Sequence, residues 1–258
     1  MIHVENLSKT FSLNARQRKE MGTTATSVTA VDKLSFDCQP GRVSALLGPN
    51  GAGKTTTLRM LSTIFTPTSG SIEIDGIDAI KNPEEARRRI GFLTGSAGLY
   101  ARLTPNELIT YFGKLYGIED TVIQTRKEKL FGLLDMYDFQ NKRIGKLSTG
   151  MKQKVSICRT MIHDPQVVIF DEPTSGLDVI TAENIIQLIN DCKNQGKTVI
   201  FSSHIMSEVD LLCDDISIIY NGKLLFNDTM DAFRSQMQAP NLTAEFIRIV
   251  NASKISAL

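Results

Sequence analysis

A glycine-rich loop with a lysine near its end is the first stretch of this sequence that could do chemistry. It consists of Gly48, Pro49, Asn50, Gly51, Ala52, Gly53, Lys54, Thr55 and Thr56, and its first eight residues fit G-x-x-x-x-G-K-[ST]. Backbone N–H groups in such a loop turn inward as an anion nest, Lys54 can neutralise β- and γ-phosphate oxygens, and the Thr55 hydroxyl can ligate Mg²⁺. A strand-like run precedes the loop and a helix-like run follows it, so the pattern predicts a nucleoside triphosphate site. The alternative, a glycine-rich turn that matches by chance, is expected in about one chain in a hundred of this length.

Two adjacent carboxylates, Asp171 and Glu172, follow the apolar run at residues 167–170. Asp171 can hold Mg²⁺ through its water shell, and Glu172 is placed to polarise an attacking water. An Asp-Glu pair after a strand is, on its own, more often a helix cap or a solvated turn. Together with the phosphate-binding loop, the pair predicts hydrolysis of the bound nucleotide.

Three further motifs give a resemblance to a known family. Residues 147–153 (LSTGMKQ), residues 171–178 (DEPTSGLD) and Ser203-His204 resemble the signature, the Walker B motif with D-loop, and the H-loop of ATP-binding cassette (ABC) ATPases, in the family's order. The resemblance covers about residues 1–230. Within the family, the stretch 95–117 is similar to ATP-binding subunits of bacterial exporters, particularly the sodium-exporting kind.

The resemblance implies that the nucleotide site is shared between two chains. Ser148 and the N–H of Gly150 would stand at the start of a helix at residues 151–161, where a hydroxyl, an amide and the helix dipole can meet a phosphate. The phosphate-binding loop already surrounds the ATP of its own chain. The family pattern therefore implies that the signature faces the ATP of a partner, with two ATP molecules held in a homodimer. The alternative for Ser148 is a helix N-cap without ligand.

Three single residues take roles from the same resemblance. His204 matches the switch histidine that orients water or senses the γ-phosphate, although a lone histidine after a strand is more often structural. Asp178 matches the D-loop acid that links the two sites. Phe11 matches the aromatic residue on which adenine stacks, but a long polar insertion follows it that the family pattern lacks.

The sequence departs from the family pattern at two motifs. A glutamine that touches Mg²⁺ and relays motion to the membrane partner usually ends the strand at residues 90–93. Here the matching stretch is Thr94-Gly95-Ser96, so we expect water or Ser96 to replace it. The signature reads Ser-Thr-Gly-Met instead of Ser-Gly-Gly-Gln but retains Ser148 and Gly150, so we expect active hydrolysis.

The alternation of short apolar strands with longer helical patterns predicts an α/β fold. We expect a P-loop NTPase of ABC type, with a mixed sheet core, an antiparallel β layer and a helical subdomain inserted at about residues 95–160. Residues 1–230 would form the nucleotide-binding domain, and residues 231–258 a C-terminal extension of unknown role. We expect an extended surface loop at residues 13–29 and a hairpin at Asn221-Gly222. A buried helix face is expected from Leu108, Tyr111, Phe112, Leu115 and Tyr116.

Composition narrows the class of protein and its partners. The 258 residues are 41% hydrophobic and 22% charged, which excludes collagen-like, disulfide-dense and wholly disordered chains. A net charge of +1 gives the chain no overall electrostatic attraction for nucleic acid, so we expect no nucleic-acid partner. The apolar runs are far below the roughly 20 residues that span a bilayer, and no secretory signal is evident. We therefore expect a cytoplasmic protein, peripheral on the inner face of the membrane, that works with an integral membrane permease subunit.

These observations predict an ATP-hydrolysing motor subunit of an ABC transporter of exporter type. ATP and Mg²⁺ would be its cofactors, and Glu172, His204 and Lys54 its catalytic residues. The alternative is an ABC ATPase without a membrane partner, serving DNA repair, translation or iron–sulfur assembly. The sequence has neither the long coiled-coil insert of the repair proteins nor the two cassettes of the translation factors. A non-catalytic regulatory module is disfavoured because Lys54, Asp171, Glu172 and His204 are all present.

Overall fold

A computed structural model describes residues 1–20, 22–94 and 98–255 of the chain. Its strands are β1 (Ile2–Ser12), β2 (Ser27–Cys38), β3 (Val43–Leu47), β4 (Ser69–Ile74), β5 (Ile77–Asp78), β6 (Ile90–Thr94), β7 (Val167–Asp171), β8 (Thr198–Ser203), β9 (Asp215–Tyr220) and β10 (Lys223–Thr229). Its α-helices are α1 (Ala15–Glu20), α2 (Lys54–Leu61), α3 (Pro83–Arg89), α4 (Pro105–Leu115), α5 (Asp120–Leu133), α6 (Thr149–Met161), α7 (Val179–Asn194), α8 (Met206–Leu212), α9 (Met230–Gln236) and α10 (Leu242–Ile255). Two short 3₁₀ helices, Tyr137–Phe139 and Ile144–Lys146, lie between α5 and α6.

Two sheets form the framework. The larger has the order β10-β9-β3-β8-β7-β6, in which all neighbours are parallel except the β9–β10 hairpin. The smaller is antiparallel, with the order β2-β1-β4-β5. Asn221 and Gly222 join β9 to β10 with φ of 49° and 76°, the left-handed pair that a tight two-residue hairpin requires. The predicted α/β class, antiparallel layer and hairpin are confirmed.

The larger sheet is buried on both faces. On β3, Val43, Ala45 and Leu47 pack into the cluster that includes the inserted helices, whereas Leu46 packs into the cluster under the antiparallel sheet. All five residues of β3 are buried, which is why its sequence reads as a continuous apolar run without alternation.

The inserted helices confirm the expected subdomain but correct its buried face. Thr104 caps α4 with both bonds of a capping box, since it accepts from Glu107 N at 3.2 Å and Glu107 Oε2 accepts from Thr104 N at 2.8 Å. The residues of α4 that are buried are Pro105, Leu108, Ile109 and Gly113.

Most residues of the helix face that was expected to be buried are exposed. Tyr111 is 50% exposed, Leu115 66% and Tyr116 40%, and Phe112 is partly buried. The prediction was right for Leu108, which is fully buried, and wrong for Tyr111, Leu115 and Tyr116. Helix α4 meets α5 at Gly113, where an added Cβ would lie 2.7 Å from the Ile123 side chain. A glycine contact of this kind leaves no apolar signal in the sequence.

The segment at residues 13–29 is not the extended loop that was expected. Strands β1 and β2 continue their pairing to Ser12 and Ser27, and the exposed helix α1, which buries no residue, connects them. Thr10 and Thr29 share a hydroxyl hydrogen bond of 3.0 Å across this ladder. The paired strand ends at residues 8–12 and 27–30 contain no buried residue, so no buried apolar face marks them in the sequence.

The C-terminal residues form α9 and α10. Met230, Phe233 and Val250 are buried, and α10 packs against α8 and β10. Across the parts of the chain that the structure describes, no helix combines the length and the apolar character needed to cross a bilayer.

Candidate nucleotide site

The predicted chemical residues meet at one edge of the larger sheet. The glycine-rich loop follows β3, Asp171 ends β7 with Glu172 directly after it, and His204 follows β8. These three strands are parallel neighbours in the order β3-β8-β7. Their carboxyl ends therefore open onto the same crevice, where open α/β sheets bind ligands.

The loop at residues 48–53 is held in place by close packing against its surroundings. Gly53, the N-cap of α2, has φ of 110°, and an added Cβ would lie 2.5 Å from Ala30 O. An added Cβ at Gly48 would lie 2.3 Å from Ile219 O. Neither position tolerates a side chain, because a neighbouring carbonyl occupies the space in each case. The loop, Ala30, Lys54 and Glu172 line a cavity of about 150 Å³ at the start of α2.

Lys54 is the buried cation of this cavity. Its ammonium donates to Gly48 O at 2.6 Å and Pro49 O at 3.2 Å, and its Nζ lies 3.9 Å from Glu172 Oε1. Burial lowers the pKa of Lys54 below its usual value, and the carboxylates of Glu172 and Asp171 oppose that shift. The loop carbonyls hold the ammonium inside the nest, where it can meet phosphate oxygens.

A hydroxyl and a carboxylate suited to a divalent cation lie side by side. Thr55 Oγ1 donates to Asp171 Oδ1 at 3.1 Å, and Ser202 Oγ donates to the same oxygen at 2.8 Å. Thr55 and Asp171 present only oxygen donors, which is the ligand type that Mg²⁺ prefers. The donor set therefore fits Mg²⁺.

Glu172 and His204 form a second pair in the crevice. His204 Nδ1 lies 3.3 Å from Glu172 Oε1, with the Glu172 side chain 30% and the His204 side chain 50% exposed. The backbone of Glu172 has φ of 49°, and its N–H donates to Ser202 Oγ at 3.1 Å. A carboxylate in this position can take a proton from a water molecule in the crevice.

Ser202 is a site residue that the sequence analysis missed. It is fully buried on β8 and lies opposite Asp171 in the β7–β8 register. Its hydroxyl donates to Asp171 and accepts from Glu172 N, so one side chain holds both carboxylate residues. Its place directly before Ser203-His204 was the available signal, but only the strand register shows its partners.

The signature and D-loop residues lie together within the chain. Ser148 is exposed and caps the 13-residue helix α6 by accepting from Met151 N at 3.3 Å. Asp178 caps α7 by accepting from Thr181 N and Thr181 Oγ1, both at 2.9 Å, and these bonds lower the pKa of Asp178. An added Cβ at Gly150 would lie 3.5 Å from Asp178 Oδ2.

A second cavity of about 420 Å³ adjoins these elements. Its lining residues come from α2, the end of β6, the start of α6, and the end of β7 with the stretch after it: Thr55, Arg59, Thr94, Thr149, Gln153, Asp171, Glu172, Ser175 and Leu177. Neither Ser148 nor Gly150 lines this cavity or the smaller one. Thr55 and Asp171, the candidate cation ligands, therefore line a cavity together with residues of α6, but not with Ser148 or Gly150.

Two sequence predictions lie at the margin of the site. Phe11 is on β1 and packs edge-to-face on Phe65, with ring centroids 5.6 Å apart and the Lys9 ammonium over its ring. It is not among the residues that line the cavity at Lys54. Ser96, which with water was one of the two expected replacements for the usual glutamine, lies outside the described residues, as does Gly95.

The chain is similar to known proteins in both sequence and fold. A family model described as ABC transporter matches residues 31–175. The chain is 42% identical over 221 residues to the ABC transporter ATP-binding protein NatA of Bacillus subtilis (strain 168), covering 85% of this chain and 90% of that protein. It is 41% identical over 203 residues to the bacitracin transport ATP-binding protein BcrA of Bacillus licheniformis, covering 77% of this chain and 64% of that protein.

A solved structure described as the ATP-binding subunit of an ABC transporter superposes with a TM-score of 0.84 at 27% identity, covering 96% of this chain and 99% of the other. The dimeric structure of MJ0796, a bacterial ABC transporter cassette, has a TM-score of 0.78 at 24% identity, covering 89% of this chain and 99% of that one, and shows likeness of fold.

Proposed function

This chain belongs to the ABC transporter family of ATP-binding cassette ATPases, and from that premise we propose that it is the Mg-ATP-hydrolysing motor subunit of an exporter, acting on a separate membrane subunit. The observation that carries the proposal is the convergence of Lys54, Thr55, Asp171, Glu172 and His204 at one sheet edge. Three side-chain contacts connect them in pairs. Thr55 Oγ1 lies 3.1 Å from Asp171 Oδ1, Lys54 Nζ lies 3.9 Å from Glu172 Oε1, and His204 Nδ1 lies 3.3 Å from the same Glu172 oxygen.

Each residue of the crevice has one task in the proposed hydrolysis. The backbone N–H groups of residues 50–56 and the Lys54 ammonium bind the phosphates of ATP and neutralise their charge. Thr55 and Asp171 would hold Mg²⁺, which stabilises negative charge on the phosphates when it is bound. Glu172 accepts the proton of the attacking water, and the ring of His204, 3.3 Å away, orients that carboxylate.

The proposed working form is a homodimer with two ATP molecules between the cassettes. Ser148 and the N–H of Gly150 would contact the ATP of the partner, and Asp178 would link the two sites. Three features support this proposal. The start of α6 is exposed at Ser148. The glycine-rich loop lines a cavity of its own at the start of α2, and neither Ser148 nor Gly150 lines that cavity. Val179 and Ile180, which follow Asp178, are 85% and 75% exposed and offer an apolar contact surface.

The names of similar proteins support a membrane partner and an export role. One is described as a bacitracin transport ATP-binding protein, and another, 35% identical over 195 residues, as the Nod factor export ATP-binding protein I of Ralstonia nicotianae. We place the subunit on the cytoplasmic face of the membrane, attached to an integral permease. Residues 1–230 would be its nucleotide-binding domain, with residues 95–160 as helical subdomain and 231–258 as extension.

Purification from detergent-solubilised membranes tests the transporter role. We expect the affinity-tagged full chain to be recovered with a multi-spanning membrane protein in a fixed ratio, since a motor subunit must stay attached to the protein it drives. The measurement is mass spectrometry of the purified complex, with the untagged chain as control. Recovery with soluble partners alone would instead favour an ATPase of the repair, translation or iron–sulfur type.

Replacing Phe11 by Ala tests the proposed adenine contact. Stacking of a base on an aromatic ring contributes about 1–3 kcal/mol, so we expect ATP affinity to fall by about tenfold. Affinity for inorganic triphosphate should stay unchanged, because that ligand lacks the base. Both are measured by calorimetric titration, and an equal loss for the two ligands would contradict the adenine contact.

A further inference from the structure

The side chain of Glu208 bridges two segments that carry the hydrolytic pair. Its Oε1 accepts from Thr174 Oγ1 at 2.6 Å, and its Oε2 accepts from Ser203 Oγ at 3.1 Å. Thr174 is 6% and Ser203 3% exposed, so both hydroxyls are removed from solvent. A carboxylate that accepts from two buried hydroxyls makes charge-assisted hydrogen bonds, which are about twice as strong as neutral ones.

Both partners of Glu208 stand close in sequence to the reacting groups. Thr174 is two residues after Glu172, and Ser203 directly precedes His204. The two segments come from different strands, β7 and β8, and their side chains meet at the 3.3 Å contact between His204 and Glu172. A carboxylate bound to both segments therefore fixes the spacing of this contact.

The loop after β7 has a second anchor, on helix α6. Gln153 Nε2, from the signature helix α6, donates to Pro173 O at 3.2 Å. The segment that carries Glu172 is thus held by α6 through Gln153 and by α8 through Glu208. Because Glu172 has a backbone φ of 49°, its conformation has to be imposed by such surrounding contacts.

We propose that Glu208 is a positioning residue for ATP hydrolysis, which fixes Glu172 and His204 relative to each other by bridging Thr174 and Ser203. Glu208 does not touch the nucleotide; it acts through the two segments. This inference rests on the proposed function, because it assigns Glu208 a role in the same reaction.

A purely local role for Glu208 makes a different prediction. Glu208 is the third residue of the short helix α8, and the Ser203 hydroxyl also accepts from Ile205 N at 3.0 Å, so the Ser203 contact is part of an ordinary helix start. The Thr174 contact spans 34 residues and has no function in capping α8. Removal of the Thr174 hydroxyl therefore separates the two roles.

The test compares four variants and one control variant of the full chain by steady-state ATPase kinetics and thermal unfolding. We expect Glu208→Ala to lower kcat about tenfold and to leave the KM for ATP within twofold, since the phosphate-binding loop is untouched. Thr174→Val should lower kcat by a similar factor, and the double variant should lose no more than Glu208→Ala alone. Glu208→Gln should recover most of the turnover, because its amide can accept from one hydroxyl and donate to the other. Glu84→Ala, which removes an exposed carboxylate of α3, is the matched control.

The outcomes separate this inference from the function on which it rests. Wild-type kcat in Glu208→Ala, or in Thr174→Val, would overturn the positioning role while the ATPase itself stands. Additive losses in the double variant, or a fall in kcat matched by a rise in KM and a lower unfolding temperature, would also overturn it. A wild-type chain that binds no ATP would overturn the proposed function and this inference together.

Discussion

Replacing Glu172 by Gln is expected to lower ATP turnover by about 10³-fold while ATP affinity stays within threefold of the wild type. General-base catalysis contributes about 10²–10⁴-fold, and an amide cannot take the proton of the attacking water. The side chain keeps its size, and the backbone N–H keeps its bond of 3.1 Å to Ser202. Phosphate release at saturating Mg-ATP measures the turnover, and titration with a labelled nucleotide measures the affinity.

The same variant should accumulate as an ATP-bound dimer. Hydrolysis would no longer release the contact that holds the two cassettes together, so the dimer should persist on size-exclusion chromatography in Mg-ATP. Glu84→Gln changes an exposed carboxylate far along the chain and should behave as the wild type. Undiminished turnover in Glu172→Gln would contradict the role of Glu172, whatever the oligomeric state.

Replacing Lys54 by Ala is expected to weaken ATP binding itself by about 100-fold. Each hydrogen bond to a charged group contributes about 1.5–3 kcal/mol, and the ammonium is the cation held inside the phosphate-binding nest. The variant also leaves the carbonyls of Gly48 and Pro49, which accept from Lys54 at 2.6 and 3.2 Å, without that donor. Equilibrium titration with labelled ATP gives the affinity.

A lysine on the surface provides the matched control for that measurement. Lys129→Ala removes an exposed ammonium on α5 and should bind ATP as the wild type does. Circular dichroism should show that Lys54→Ala is folded, because Lys54 makes its hydrogen bonds within the loop. An affinity for ATP within threefold of the wild type would contradict the assignment of Lys54 to the phosphates.

The two variants should also differ in assembly. Glu172→Gln keeps the phosphate nest intact and should dimerise in Mg-ATP, whereas Lys54→Ala should remain monomeric at the same nucleotide concentration. The comparison separates binding from chemistry, since only one of the two steps is changed in each protein.

The parts of the fold that local chemistry determines could be predicted from the sequence. Asn221-Gly222 specifies its hairpin because both residues must take positive φ, and Thr104 with Glu107 specifies the start of α4 because the two groups satisfy each other's N–H. The order of the motifs along the chain predicted which strand ends would carry chemistry. Each of these signals lies within a few residues of sequence.

The parts that depend on packing between distant segments could not be predicted. The face of α4 is decided by the approach of Ile123 to Gly113, and the partners of Ser202 are decided by the register of β8 against β7. Glu208 can bridge Thr174 and Ser203 because β7, which Thr174 follows, and β8, which ends at Ser203, are neighbours in the same sheet. In each case the contact joins two segments that are apart in sequence, and the sequence of neither segment alone indicates which other segment it contacts.

Because the backbone of Glu172 is left-handed, folding stability and catalytic activity favour different residues at this position. A non-glycine residue at φ of 49° costs about 1 kcal/mol, so glycine would suit the backbone better than the glutamate that the chemistry needs. Selection for resistance to heat or denaturant favours loss of the carboxylate here, and selection for turnover keeps it. A library enriched only for thermostability would therefore collect inactive proteins at this site, and any stabilised version of the chain has to be screened for phosphate release as well as for unfolding temperature.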